Sequence, residues 1–533
     1  MIENREIVKN IYFIMKDLRL KYEKLKKEAF SLYKKGKLEE SLNYIVTAST
    51  FAWWYHFGYW SDGELEELIK KIGSNLLERE LSIYGNITPN ENNVLFLTTY
   101  LTNSGGHTEA IKLWISCLSG SFENIYIIST EVYNKTSLNF FEYDIYEKTQ
   151  YIKLTGRKYI DRIKDLARII VQVKPAYVFL FIDPNDVVSL VALSYLKPKL
   201  DSKIIFFNHS DHTFWLGKDI IDILVEFRSY SIIVSRLLRK FQGNITVVPL
   251  STKIHATNNN DSKIANEALK SLNLTNNYKT ISLSIGASWK FVSDGEWDYF
   301  KAIENILKNT DNHVHILITM KDKYIENRLC EFPEKLKNRF KVLYNISNPL
   351  PYYKVADFII ESFPVIGGTV RLEAMALCKP IIFIKNKRSA IFSVTDVIPK
   401  NYSYVACSEE KVIEYATLFI KSEEERKKAG KLLKEYFDEN FTPEKICEEI
   451  RNVLKDKNIQ SNSEYKNLEI LDSNEYLLSY DIRYRGLINP YLILLKIYLN
   501  KKNRSILDYL RASKNLSIKD ISFGLKKFFS KIW

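Results

Sequence analysis

Cysteine is scarce. The five thiols at 117, 330, 378, 407 and 447 are scattered, odd in number, and form no CxxC or Cys/His pairing at metal-ligand spacing. That pattern argues against a zinc site, and reduced thiols in a cytoplasmic protein are the expectation. Long apolar runs are missing as well: no stretch approaches the 18 or so residues needed to cross a bilayer, and MIENREIVKN lacks the apolar centre of a signal peptide. Low-complexity tracts are absent, and no DxD accompanies the short runs of acid. A basic groove is missing too, although the formal net charge is +13. Residues 481–533 hold twelve Lys/Arg against three Asp, so most of the excess sits in one tail and the remainder is nearly balanced. Nucleic acid is therefore not the expected partner, since a nucleic-acid surface spreads cations along a track with interleaved aromatics.

What is present is a globular chain. With 533 residues and 46% hydrophobic content it can bury cores for about three to four domains. Residues 1–90 read as helices, because LEESLNYI and ELEELIKKIGSNLL place apolar residues at three- and four-residue spacing. KKEAFSLYKKGKLEESLNYIV resembles one helix–turn–helix unit of the tetratricopeptide type, with Gly36 at the turn, but a stable array needs about three copies. The aromatic run FAWWYHFGYW (51–60) is expected in a core or interface.

From residue 91 to 255 short apolar runs alternate with amphipathic segments: VLFLTTYL, HTEAIKLWISCLS, NIYIIS, RIKDLARIIVQV, AYVFLFI, VVSLVALSYL, KIIFFNH, YSIIVS and NITVVPL. That alternation predicts a parallel sheet covered on both faces, a Rossmann-like domain. The polar stretch TKIHATNNNDSKIANE reads as a linker, and the same alternation resumes over 276–455. Residues 456–533 remain as a basic helical tail. The predicted fold class is α/β, with two Rossmann-like domains facing across a cleft, a helical region before them and a helical tail after. Ligands of such sheets bind at the carboxyl ends of the strands.

One segment is specific. In ESFPVIGGTVRLEAMALCKP, from Glu361, an apolar strand ends in a carboxylate, crosses a proline and two glycines, and restarts as a helix. Gly367, Gly368 and Thr369 then form a helix N-terminus, whose unpaired N–H groups and dipole attract an anion. Glu373 lies about one turn (roughly 5.4 Å) deeper on the same side and can accept both hydroxyls of a ribose. The two together suit a nucleotide diphosphate. The plainer alternative makes Thr369 an N-cap and Glu373 a solvated residue.

A second cluster sits in FFNHSDHTFWLG (206–217), where His209, Asp211 and His212 follow a strand and can take a proton from a hydroxyl. A divalent metal and a loop-capping turn are its alternatives. Asp183 in DPND ends another strand, where a simple turn is the rival.

The stretch from Glu361 to Pro380 resembles the second Rossmann-like domain of GT-B glycosyltransferases throughout. Glu361 and Glu373 are twelve residues apart rather than the eight common among retaining members, and the longer spacing is similar to the O-linked N-acetylglucosamine transferase family. The resemblance implies that Thr369 helps hold a donor diphosphate and Glu373 the ribose, in the place of that family's Asp; Val370 and Gly368 depart from its pattern. LTNSGGHTEA (101–110) resembles the first glycine loop of GT-B enzymes, which implies that Gly105 and Gly106 approach the sugar and that His107 serves acceptor positioning or proton transfer. Lys290 in SIGASWKF stands where GT-B enzymes often place a cation on the diphosphate, and Arg371 is a further candidate.

The expected function is transfer of a sugar from a nucleotide sugar, first of all a UDP-sugar, to a protein or glycan acceptor, with the nucleotide sugar as co-substrate and no metal or other cofactor. A nucleotide-sugar epimerase of the same fold and a non-catalytic nucleotide-binding scaffold are the alternatives. The tail helix SIKDISFGLKKFFSKIW gathers Ile518, Ile521, Leu525, Phe528 and Ile532 on one face, which suits peripheral contact with the inner face of the cytoplasmic membrane or packing on its own domain.

Overall fold

The computed structural model describes residues 4–102, 106–132, 148–252, 269–270, 272, 274, 278–389, 391–392, 396–455 and 474–500. The chain divides into two compact units, one built on Met1–Val247 with residues from Ile450 onward, the other on Val248–Glu449.

In unit 1 seven parallel strands, β1 (Asn90–Thr98), β2 (Asn124–Ser129), β3 (Thr149–Lys153), β4 (Pro175–Phe181), β5 (Lys203–Phe207), β6 (Ile223–Glu226) and β7 (Asn244–Val247), lie in the order β3-β2-β1-β4-β5-β6-β7. Val94–Leu97 and Val178–Phe181 are buried on both faces, which is why these strands read as unbroken apolar runs. The order reverses between β1 and β4, leaving a switch point at their carboxyl ends.

The amino-terminal helices belong to this unit. Asn4–Lys34, Leu38–Trp54 and Gly63–Leu81 share one apolar core with the sheet. Leu38–Trp54 buries polar residues without orphaning them, because Thr47, Ser49 and Thr50 donate to carbonyls four residues back. Asp62 caps the third helix by accepting from the Glu64 and Leu65 amides, and its other oxygen receives the Tyr22 hydroxyl at 2.8 Å and Lys26 Nζ at 3.1 Å. In the aromatic run, Phe51, Tyr55, Phe57 and Trp60 are core residues, as expected. Of the tail, helices Asn474–Arg485 and Pro490–Asn500 are described, and they pack on the first two helices. Tyr55 Oη donates to Gly486 O at 2.7 Å, and the His56 amide and Nδ1 both meet Asp481 Oδ2 at 2.8 Å. The amphipathic segment 517–533 lies outside the described residues. Cys117 is disulfide-bonded, against the expectation of reduced thiols.

Unit 2 repeats the plan with six parallel strands, β8 (Thr280–Ile285), β9 (His313–Thr319), β10 (Phe340–Tyr344), β11 (Phe358–Ile360), β12 (Ile381–Ile384) and β13 (Val405–Ala406), ordered β10-β9-β8-β11-β12-β13. Its switch point lies between β8 and β11. Cys330, Cys378 and Cys407 are free thiols, whereas Cys447 is disulfide-bonded.

A polar seam runs inside this unit. Residues two apart on a strand share a face, and the register sets Thr280 opposite His313 and Ser282 opposite His315. Thr280 Oγ1 meets His313 Nδ1 at 2.9 Å, Ser282 Oγ bridges His313 Nε2 and His315 Nδ1 at 2.8 and 2.7 Å, and His315 Nε2 reaches Tyr299 Oη at 2.6 Å. Burial holds both histidines neutral, pulling His313 down to about 3 and His315 well below its usual value.

Gly430, in helix Glu423–Asn440, sets the approach of that helix to Thr369–Ala376, because a Cβ at 430 would collide with the Cys378 carbonyl just past the shorter helix. Gly430→Ala is expected to cost roughly 1–3 kcal/mol, read as a lower urea midpoint with an unchanged slope. A midpoint at or above that of the parent would show that the close approach is not needed.

Candidate functional site

The two switch points gather most of the residues singled out in the sequence, each set within its own unit. In unit 1, His107 follows β1, Asp183 follows β4, and His209, Asp211 and His212 follow β5. Gly106 is exposed and opens the helix Gly106–Leu118, while Gly105 lies outside the described residues. Thr108 ties that helix to the preceding loop, its hydroxyl accepting from the Thr102 amide at 3.2 Å.

His107 Nε2 donates to Phe181 O at 2.8 Å, which fixes the ring at the end of β4, and burial pulls its value down to about 4. His209 packs against it with ring centroids 4.6 Å apart. Its Nε2 lies 3.8 Å from Asp183 Oδ1, and its Nδ1 is buried without a hydrogen-bond partner. Burial and then the neighbouring imidazoles hold His209 well below its ordinary value, so it is neutral at physiological pH. Asp183 is in turn held by its amide, which donates to Thr99 Oγ1 at 2.8 Å. Thr99 then donates to Asp186, the cap of helix Val187–Leu196, at 2.7 Å.

Asp211 is built in differently. It is 1% exposed, and one oxygen takes both Arg228 Nε and Ser231 Oγ. Burial opposes its ionisation, but the Arg228 charge and the hydrogen bonds from His212 and Arg228 outweigh that and hold the carboxyl below the usual range. An acid so held is a poor proton acceptor, and the geometry gives it a structural place under the loop. His212 faces Asp211 at 3.4 Å and offers its carbonyl to His56 Nε2 at 2.5 Å. Beneath them the fully buried Arg239 donates to Asp211 O and to Thr213 O (2.6 Å), and lies over the Trp60 and Trp215 rings. The loop is therefore pinned from below. Among the described residues no group of three His, Cys, Asp or Glu is arranged to hold a metal ion.

In unit 2, Lys290 follows β8 and the segment from Glu361 follows β11. The helix Thr369–Ala376 has Gly368 as its N-cap residue and no side chain bonded to the cap. Thr369 is thus the first helical residue, and the N-cap alternative for it does not hold. Gly367 is buried and Gly368 exposed, and Gly368, having no side chain, makes no cap bond to the first-turn N–H groups. Lys290 Nζ donates to Ile366 O at 2.8 Å, beside that tip. Burial draws Lys290 down to about 8, against the pull of Glu361, which leaves it charged at neutral pH.

Glu373 is half-buried and receives the Tyr353 hydroxyl at 2.6 Å on Oε2, and burial raises its value. It is neither freely solvated nor fully spent, since a carboxylate has a second oxygen with two lone pairs. Glu361 and Arg371 face inward: Arg371 donates through Nε and, at 2.8 Å, through a terminal nitrogen, and Glu361 also accepts the Ile384 amide at 2.9 Å. This corrects the candidacy of Arg371 as a ligand cation. The residues sequence reasoning missed are the holders, Tyr353, Arg228 and Thr99, which lie far along the chain from their partners and carry no motif.

No family model matches the chain, and no curated protein matches it. Solved structures do. The Anabaena protein HepE in complex with UDP and glucose aligns with TM-score 0.51 and 11% identity, over 68% of this chain and 99% of that one. A glycosyltransferase from Rickettsia africae aligns with TM-score 0.52 and 14% identity, over 69% and 100%. The fold, two parallel Rossmann-like units, is that of the GT-B glycosyltransferases.

Proposed function

We propose that this protein transfers a sugar from a nucleotide diphosphate sugar, a UDP-sugar foremost, to a protein or glycan acceptor. The observation that carries this reading is the uncapped helix tip at Gly368–Thr369, at the switch point of unit 2, with Lys290 beside it and Glu373 one turn in. In this reading the donor's phosphates take the amides of the tip and the Thr369 hydroxyl, and Lys290 offsets the charge that develops as the sugar–phosphate bond breaks. Glu373, with one oxygen on Tyr353, offers the other to the ribose hydroxyls. The binding of UDP and glucose by HepE, a protein of the same fold, supports the choice of nucleotide. No metal or further cofactor enters the scheme. Among the described residues no helix is long and apolar enough to cross a membrane; the cytoplasmic place, with peripheral membrane contact through the tail, is part of the same proposal.

The test is a thermal-shift screen over nucleotide diphosphates and their sugars. UDP at a hundredfold excess over its Kd is expected to stabilise the wild type by about 2.7 kcal/mol, and Glu373→Ala and Thr369→Ala are expected to lose most of that shift. If no nucleotide moves the wild-type melting temperature, the reading is wrong. Release of free sugar from the bound donor separates a transferase from a scaffold, which releases none, and from an epimerase, which interconverts the sugar instead.

A further inference from the structure

Two glutamates flank the helix tip of unit 2 in sequence, and their surroundings separate them. Glu361 is occupied inside the unit: Arg371 donates to it through two nitrogens, and the Ile384 amide donates to its Oε2 at 2.9 Å. Glu373 keeps one oxygen back. Its Oε2 receives the Tyr353 hydroxyl at 2.6 Å, while Oε1 has no hydrogen bond to any described residue and lies open to solvent. Tyr353 itself is fully buried in the core of the unit. The short helix that carries it, Leu350–Val355, is fastened at its end by Lys379 Nζ, which donates to Lys354 O at 3.1 Å and to Ala356 O at 2.7 Å. Lys379 follows the helix that bears Glu373, so one stretch of chain fixes both partners. A half-buried glutamate without a partner would turn among its rotamers; this one is held.

We propose that Tyr353 is a positioning residue that makes the donor site select ribonucleotides: with Oε2 on the Tyr353 hydroxyl, Glu373 presents Oε1 to the 2′- and 3′-hydroxyls, and the donor class is the ribonucleoside diphosphate sugars rather than their 2′-deoxy counterparts. The inference rests on the sugar-transfer reading above and names the class of donor it takes. Each ribose hydroxyl is a donor and Oε1 has two lone pairs, so one oxygen can take both. Hydrogen bonds to an ionised acceptor are the strong kind. Tyr353 favours that ionised state, since its hydrogen bond opposes the upward push of burial on Glu373. A 2′-deoxy sugar brings one hydroxyl fewer and leaves a lone pair of Oε1 covered and unpaired, which is how a site rejects an analogue lacking a hydroxyl. Because the carboxylate is already set, binding does not have to order it. All of these protein groups lie within unit 2.

The experiment titrates the full chain with UDP, 2′-deoxy-UDP and 2′,3′-dideoxy-UDP by calorimetry. The wild type is expected to bind UDP about 10–100-fold tighter than 2′-deoxy-UDP. Tyr353→Phe is expected to weaken UDP about 3–10-fold and to leave 2′,3′-dideoxy-UDP, which offers Glu373 no hydroxyl, at its wild-type affinity. A merely structural Tyr353 would weaken all three nucleotides alike. Equal wild-type affinities for UDP and 2′-deoxy-UDP would overturn the proposal and leave the donor site standing. So would a Tyr353→Phe variant whose preference for UDP over the dideoxy analogue matches that of the wild type. If the variant does not fold, the wild-type comparison decides, equal affinities again overturning the assignment. A wild type that binds none of the three takes the sugar-transfer reading down as well.

Discussion

Arg371→Met is expected to be the most damaging single change in unit 2. Glu361 and Arg371 are each 2% exposed, and the pair joins three elements: the end of β11, the first turn of Thr369–Ala376, and β12 through the Ile384 amide. Removing the guanidinium leaves a carboxylate in an apolar interior, and breaking such a pair from one side costs about 3–5 kcal/mol. The urea midpoint of unit 2 should fall accordingly. The UDP melting shift should fall with it, because the same pair places the helix tip. A double change, Glu361→Leu with Arg371→Met, removes the uncompensated charge and is expected to recover much of the stability. If the single variant unfolds within about 1 kcal/mol of the parent, the upper range for an exposed ion pair, then the pair does not hold the segment.

The second large effect is sensitivity to acid. His313 and His315 are neutral in the fold, one drawn down to about 3 and the other well below its usual value, and burial is the cause of both. An unfolded chain protonates them near pH 6.5. Below that pH the unfolded state therefore binds more protons than the folded one, and stability falls as pH falls. Each histidine contributes at most about 1.4 kcal/mol per pH unit once the pH is well below 6.5, so the seam should make unit 2 lose stability steadily as the pH falls from 6.5 to 5. Protonation also breaks the pattern of the seam, since Ser282 would meet a donor from each ring and can give its own proton to neither. Hydrogen exchange of the β8 and β9 amides at pH 7.5 and pH 5 reads this directly. Protection that is equal at both would contradict it, and a His315→Phe variant should show a shallower pH dependence.

The architecture was legible because parallel strands buried on both faces cannot hide: VLFL, YVFLF and HVHILIT emerge as β1, β4 and β9. The location of candidate residues was legible for the same reason, since those following β1, β4 and β5 must meet at one sheet edge whatever their separation in sequence. The state of each side chain was not. Asp211 reads as a proton-accepting acid between two histidines, yet Arg228 and Ser231 take it inside, and nothing in FFNHSDHTFWLG announces partners 17 and 20 residues later. Glu373 reads as a ribose acceptor or, in the plainer alternative, as a solvated residue, and neither reading shows the Tyr353 hydroxyl that another helix brings to 2.6 Å. The helix start was misplaced by one residue in the N-cap alternative, because Gly368 and Thr369 are both acceptable caps by residue type and only the backbone decides between them. HVHILIT also conceals its seam, since a histidine in a strand carries no sign of the serine across from it.

The pairing of Asp481 with His56 and of Gly486 with Tyr55 has a bearing on biosynthesis. Translation delivers Val248–Glu449 before the carboxyl-terminal helices that complete the other unit, so the later-coded Rossmann body is ready to fold while the earlier one still lacks part of its core. Until residue 494 clears the ribosome, Tyr55 and its aromatic neighbours have open apolar surface, and a chaperone that binds nascent chains should crosslink to the 51–60 region rather than to the finished second lobe.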